Sequence, residues 1–563
     1  MSNDVTTSPV RHSAVGALPA RMACGIAAAC AALAAGEAVA ALVRPQASPV
    51  LAVGSAAIDL APTGVKEWAV RSFGTSDKTV LLAGICAVLG LLAAALGPLA
   101  ARRTVTGTVL AAGFGLLGAG AALTRPGARA ADVLPSAAAG LTAAVVLLAL
   151  LRPRRPPAAP AAASAPAAAS APPAPGRDAA GPDGPAPAAE SPRQTPRQTP
   201  RPSPAVAAPG RRAVIGAGAV ITLSAAIAPA ARHLSDRRND ITAARAAVAL
   251  PPPRRPAPLL SPAADLAVPG LAPLRTPTPG FYRVDTALTL PRIDPRDWTL
   301  RIHGLVDRPV RLSFDDLLRL PLEELDHTMS CVSNEVGGPY IGTTRWLGAS
   351  LPALLRRAGV RAGADQVLGR SEDGMTIGTP LERVLDGRTA LLAVGMDGEP
   401  LPVEHGFPCR TVVPGLYGYT SATKWLVDLE VTTFAARDPY WVRRGWDRTG
   451  EVRTASRIDV PAPFARVPAG DVTVAGTAWA THRGVAAVEV RVDAGPWQQA
   501  VLAADAGADV WRQWHHTWHD ATRGTHRLEA RATDATGAVQ DEQRRTPYPS
   551  GATGWHSTVV TVT

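Results

Sequence analysis

Four stretches of about twenty apolar residues crowd the first third of the chain, at roughly 22–43, 79–101, 104–124 and 132–151, and a fifth runs from about 213 to 231. A bilayer core needs about 20 apolar residues per helix, so all five read as membrane spans. The first is the weakest, because Glu37 lies inside it and Arg21 at its edge. A cleaved signal peptide competes there, but the length of the stretch and the lack of a polar stop favour a retained helix. Between the fourth and fifth spans the pattern vanishes. Residues 153–210 are almost entirely Pro, Ala, Ser, Gly and Arg, a composition that cannot bury a core and predicts a disordered tether. A second Pro-rich stretch, about 249–280, is expected to space the last span from the C-terminal half.

Beyond residue 280 the apolar positions alternate over short distances. Trp298 to Gly304 has the period of a strand ending at glycine. Ser313 is a candidate helix N-cap with Asp316 three positions on, an approximate capping box. Leu351 to Ala358 reads as an amphipathic helix stopped by Gly359. This order predicts a mixed α+β domain. From about 461 the chain is strand-rich, with runs at 472–479, 485–492, 511–518, 526–534 and 557–562, and a β-sandwich is expected. The divisions are therefore 1–152, four transmembrane helices; 153–210, the tether; 211–234, the fifth helix; 235–280, a spacer; 281–455, an α+β domain; and 461–563, the β-sandwich.

The formal net charge is +11, yet the arginines are scattered or flank apolar spans. No basic cluster interleaved with aromatics would track a phosphate backbone, so no nucleic-acid partner is expected. Arginines at membrane edges are the simpler account. Arg102-Arg103, Arg152 with Arg154-Arg155, and Arg211-Arg212 all fall on the cytoplasmic side if the N-terminus is inside and the chain crosses five times. Arg125 and Arg129 go against that rule. The predicted location is a multi-pass protein of the cell membrane, its C-terminal half on the extracytoplasmic side. Arg211-Arg212 also loosely resembles a twin-arginine export signal. No span holds a histidine for a haem, and Glu37 is a lone acid, so the helices read as an anchor or docking surface.

Of the five cysteines, Cys24, Cys30 and Cys86 lie in apolar spans, leaving Cys331 and Cys409. Cys331 follows a predicted strand and precedes Asn334 and Gly337-Gly338, which allow a tight turn. A thiol presented there is either a soft metal ligand or a nucleophile with His327, four residues earlier, as its base. His515 and His519 share a strand face and could hold a surface metal, although ordinary strand histidines are the simpler account.

An ordered set of motifs extends this reading: Phe281-Tyr282-Arg283, Trp298, Gly304, Cys331-Val-Ser-Asn334 with Gly337-Gly338, Trp346-Leu-Gly348, Ser371-Glu-Asp-Gly374, Gly398 to Pro402, His405-Gly406-Phe-Pro408-Cys-Arg410, Pro414 to Gly418, and Lys424-Trp425. Over about 160 residues this resembles the molybdopterin domain of the sulfite oxidase family, of the membrane-anchored actinobacterial type. Gly476 to Trp479, Arg483-Gly484, Trp511 to Trp514 and Arg531 to Asp534 resemble the immunoglobulin-like dimerisation domain that follows it. The implied fold is an α-helical membrane anchor, an α+β sulfite-oxidase-type molybdopterin domain and an immunoglobulin-like β-sandwich.

The resemblance implies molybdenum bound by molybdopterin and by the thiolate of Cys331, which would be both metal ligand and catalytic residue. It implies that His405, Arg410 and Lys424 hold the pterin, and that the backbone of Ala422 and Thr423 with the side chains of Tyr282 and Arg283 complete the pocket. It gives no ligand role to Cys409. The implied activity is a two-electron oxygen-atom transfer on a small sulfur-containing substrate, in a chain able to form a homodimer. Animal and plant sulfite oxidases carry arginines just after the cysteine, whereas this chain has Asn334-Glu-Val-Gly-Gly338. Sulfite is thereby disfavoured unless Arg345 or Arg443-Arg444 serves instead, and reduction of an S-oxide is the alternative. The chain has no CxxCH haem motif, so an external electron carrier is expected, such as a cytochrome or a quinone-linked protein. A membrane-tethered binding protein that kept the fold and lost the metal is the non-enzymatic alternative.

Overall fold

The computed structural model describes residues 17–73, 76–152 and 211–563. The segment 153–210, expected to be a tether, lies outside the described residues. Among those described, five helices are long and apolar enough to cross a membrane: Leu18–Val43, Lys78–Arg102, Thr104–Leu123, Ala130–Leu151 and Ala213–Ala246. Two more helices, Pro49–Leu60 and Thr63–Phe73, fill the connection between the first two spans and were not expected from the apolar runs. Pro49 opens the former at the first helical position, where proline's missing N–H costs nothing.

The described residues pack as two compact units. One draws, among the described residues, on 17–36, 86–116, 137–152 and 211–228. Its helices meet over small side chains, with Ala28, Ala32, Ala100 and Ala139 buried between them. A Cβ at Gly97 would fall 1.9 Å from the carbonyl oxygen of Arg21, and one at Gly25 would fall 2.0 Å from that of Ala93. Only glycine permits so close an approach, the usual basis of helix association in an apolar solvent.

The second unit holds Glu37–Ile85, Leu117–Ser136 and Pro229–Thr563. The connections between spans one and two, and between spans three and four, therefore belong with the C-terminal half. Glu37 is paired within this unit: Ser48 Oγ donates to it at 2.7 Å and Arg232 lies 3.3 Å away. Arg125 and Arg129, which oppose the positive-inside pattern, are also engaged here. Arg125 donates to the carbonyl oxygen of Gln46, and Arg129 faces Glu372 at 3.6 Å.

Residues 299–432 build two sheets over one core. The first runs in the order 310–313, 299–304, 426–432, 366–371, 376–380, and only its 299–304/426–432 pair is parallel. The second places Leu322–Ser330 beside Ile341–Ser350, then Leu391–Met396, with Arg410–Val412 paired to the last. Leu300, Ile302, Leu317, Leu355, Leu392, Leu426 and Val431 close the core between them. Two local expectations hold in detail. Ser313 caps Phe314–Leu318 with a reciprocal bond to Asp316, and Gly359 ends Leu351–Ala358 in the left-handed region at φ 74°.

The C-terminal strands form two further sheets, ordered 455–460, 470–479, 512–521, 501–502 and 466–467, 556–562, 524–534, 485–492, 498–499. Ile458, Val474 and Trp514 from one pack on Val488, Leu528 and Val560 from the other, so the pair is a sandwich. The Pro-rich stretch expected to be a spacer is instead laid against both parts. Gln513 donates to the carbonyl oxygen of Ala272 at 2.7 Å, Trp511 Nε1 donates to that of Leu274 at 2.8 Å, and Arg254 N–H donates to that of Leu322. A proline-rich chain lacks ladder donors, but its carbonyl oxygens still accept, which lets other elements fasten it.

Candidate functional site

The strand Leu322–Ser330 runs buried at its far end and delivers Cys331 to a turn. Cys331 N–H donates to the carbonyl oxygen of Tyr340 at 2.9 Å, and Asn334 N–H donates back to that of Cys331 at 3.1 Å. The Asn334 side chain closes the loop by accepting from Tyr340 N–H at 2.8 Å. Gly337 has φ 82°, and a Cβ there would fall 2.2 Å from the His556 ring. The sandwich braces this loop: Arg457 donates to the carbonyl oxygen of Gly338 at 3.1 Å, and Trp511 N–H donates to Thr328 Oγ1 at 2.7 Å.

Cys331, Tyr282, His405, Arg410, Ala422, Thr423 and Lys424 all line one cavity of about 360 Å³. Residues far apart in sequence are thus brought together as expected. Arg283 is the exception among the candidates: it is absent from the cavity lining and donates to Asp285 at 2.8 Å. The Cys331 thiol is half-buried against the cavity. Burial raises its pKa, while the Ser333 N–H at 3.4 Å and the Lys424 charge oppose that rise.

Arg410 is buried and keeps its charge at a cost, its pKa lowered by burial to about 10. Its donors reach the carbonyl oxygens of His405 and Thr411 and the thioether of Met329, none of them anionic. Lys424 donates to Asp285 at 2.7 Å, and burial lowers its pKa to about 8 against the opposing pull of that carboxylate. Asp285 also accepts from Lys78 at 2.8 Å. Burial alone would raise the Asp285 pKa, but Lys424, Arg283 and Lys78 together bring it far below the carboxylate range. His405 is held neutral, its pKa lowered to about 3 by burial and then by Arg410 and Lys424. Its ring meets Phe281 edge-on at 5.5 Å.

Cavity-lining cations, a neutral imidazole and a thiol form a donor set for a soft metal carried on an anionic organic group. Thiolate suits the metal and the cations suit a phosphate, whereas the N–H groups of Ala422 and Thr423, expected to help, donate instead to the Gly418 carbonyl oxygen and to Thr411 Oγ1. The buried Arg410, with only neutral partners, is the observation that most directly asks for an anion. These residues fit a molybdenum-pterin group.

Other candidates separate from this site. His327 does not line the cavity; it lies near the carbonyl oxygen of Asp509 at 3.3 Å, with a pKa lowered by burial to about 4, and is no base for Cys331. Cys409 is fully buried in the core beside Leu426 and Val413, as expected of a packing residue. Arg345 is spent on Asp326 at 2.6 Å and on Glu324. His519 pairs with Asp471 at 3.0 Å, and among the described residues no group of three His, Cys, Asp or Glu side chains is placed to hold a metal. The sequence reading missed Asp285 and Lys78, both of which line the cavity. Asp285 was findable, because the spacing Arg283-x-Asp285 in an extended segment puts both side chains on one side.

A family profile described as "Oxidoreductase molybdopterin binding domain" matches residues 287–441. An oxidoreductase of Bacillus subtilis, YuiH, is 37% identical over 158 residues, which are 28% of this chain and 76% of that protein. The chain belongs to the molybdopterin-binding oxidoreductases. It is a molybdenum-dependent member with sulfite oxidase homologues. Mouse mitochondrial sulfite oxidase is 33% identical over 286 residues, 42% of this chain and 52% of the mouse protein. The chain thus spans about half the length of the mammalian sulfite oxidases it matches. The sulfane dehydrogenase SoxCD of Paracoccus pantotrophus is 25% identical, with a TM-score of 0.41, covering 48% of this chain and 79% of the other.

Proposed function

We propose that this chain is a membrane-anchored oxidoreductase in which Cys331 ligates molybdenum and a small sulfur-containing substrate exchanges an oxygen atom. The observation that carries the reading is the convergence of the Cys331 thiol with His405, Arg410 and Lys424 on one cavity. When bound, the cofactor supplies the two-electron oxygen-atom chemistry. The chain's own residues do the rest. Cys331 offers a thiol held in place by the Tyr340 and Ser333 contacts. Arg410 and Lys424 would compensate the phosphate of the bound group, and Thr423 is fixed beside them by its N–H bond to Thr411 Oγ1 at 2.8 Å. Tyr282, stacked at 5.3 Å on Phe281, forms part of the cavity wall with Cys331.

Five apolar helices support the membrane anchor. The connections after spans one and three pack with the catalytic half, which supports placing that half on the extracytoplasmic face of the cell membrane. Electrons pass to or from an external carrier, a cytochrome or a quinone-linked protein. The sandwich is immunoglobulin-like and supplies the contact of a homodimer.

The deciding experiment is metal and pterin analysis of the purified full chain beside its Cys331→Ser variant. The native chain is expected to carry molybdenum and pterin. The variant is expected to keep most of its pterin, because Arg410 and Lys424 remain, and to lose turnover with artificial carriers. Normal turnover in the variant removes the ligand assignment; a native chain devoid of metal and pterin removes the enzyme reading.

A further inference from the structure

The cavity is not closed by the catalytic domain alone. Ile58, Ala61 and Val65, from the segment joining the first two apolar spans, and Leu81, from the start of the second span, form part of its wall together with Tyr440 and Trp441. The joining segment also supplies Asp59. Arg444, which lines the cavity, donates to Asp59 at 3.0 Å, and Tyr440 Oη donates to the same carboxylate oxygen at 2.6 Å. The Arg444 guanidinium lies 3.5 Å from the centre of the Tyr440 ring, and its Nη1 donates to the Tyr440 carbonyl oxygen at 3.1 Å. Arg444 is therefore held on several sides.

Charge decides what such a cavity accepts. Among the described residues lining it, the cations are Lys78, Arg410, Lys424 and Arg444, and the carboxylates are Asp285, Glu335 and Asp373. Asp59, bonded to Arg444, offsets the charge of that residue. A phosphate-bearing cofactor would add negative charge to the site. A dianion entering beside Glu335 meets repulsion and finds Arg444 already paired, whereas an uncharged molecule meets aromatic and aliphatic walls.

We propose that Asp59, by neutralising Arg444, makes the cavity select an uncharged, apolar-bodied substrate over an oxyanion. This rests on the oxygen-atom-transfer reading above. Asp59 is a specificity residue contributed by the membrane-side segment, outside the part of the chain that carries the cofactor residues.

The test is binding without turnover. The full chain in detergent, with its cofactor content measured first, is titrated calorimetrically with sulfate and with methyl phenyl sulfone, two unreactive probes of oxyanion and uncharged shape. The native chain is expected to bind the sulfone at least about tenfold more tightly than sulfate. Asp59→Asn keeps the side-chain shape and the Tyr440 contact, and is expected to shift the sulfate-to-sulfone ratio about tenfold or more toward sulfate. Adding Arg444→Gln to that variant is expected to cancel the shift. Equal weakening of both probes in Asp59→Asn means that the pair only fastens the segment, and overturns the proposal. A loaded native chain that prefers sulfate overturns it while leaving the oxygen-transfer reading standing. A chain without molybdenum or pterin removes that reading and this proposal together.

Discussion

The Arg410 guanidinium donates to the carbonyl oxygen of His405 at 3.0 Å, five residues back along the same loop. The bond spans the Gly406 turn, where φ is 109°, and it ties two cavity-lining residues proposed to hold the cofactor to each other. It also leaves a buried cation without a carboxylate, a costly arrangement until an anion arrives.

Arg410→Met tests that cost. Removing the buried charge is expected to leave the melting temperature of the cofactor-free protein equal or higher, while pterin retained after purification drops about tenfold or more. Thermal melts and the fluorescence of the oxidised pterin measure the two effects. A lower melting temperature with undiminished pterin would refute the assignment of Arg410 to the cofactor.

Lys424 gives a pH dependence of defined sign. Its folded pKa is lowered from the usual 10.5 to about 8, so between those values the unfolded chain binds more protons. Stability of the cofactor-free protein should therefore rise as pH increases across that window, and the gain is lost as pH falls through about 8. Cofactor binding should move the other way, because the phosphate needs the charged amine. Denaturation midpoints and pterin retention, each followed between about pH 7 and 10, are expected to run in opposite directions.

Gly337→Ala is expected to destabilise the second unit by about 1–3 kcal/mol, since it adds left-handed strain and a clash with the His556 ring. Adding His556→Ala should restore the part due to the clash and leave the part due to φ. Urea melts of the single and double variants separate the two contributions.

Cys409→Ala should cost about 1 kcal/mol, as a small cavity in a packed core does, with molybdenum and pterin contents at the native level. Metal loss in this variant would show that the second thiol takes part in the site. The contrast with Cys331→Ser is the useful readout.

Much of this molecule is local, and the sequence alone determined that part. Five apolar runs became five helices because hydropathy sums over consecutive residues. Ser313 and Asp316 formed their cap, and the strand leading to Cys331 ended where its turn residues begin, because caps and turns are settled within a few positions. Other features were decided by tertiary structure. Arg283, expected in the cavity, turned to Asp285. The prolines expected to form a spacer became a strap held by Gln513 and Trp511. Asp59 reached Arg444 across 385 positions. No periodicity encodes such a pair, because its energy depends on the distance between two charges, and that distance exists only once the intervening chain has folded.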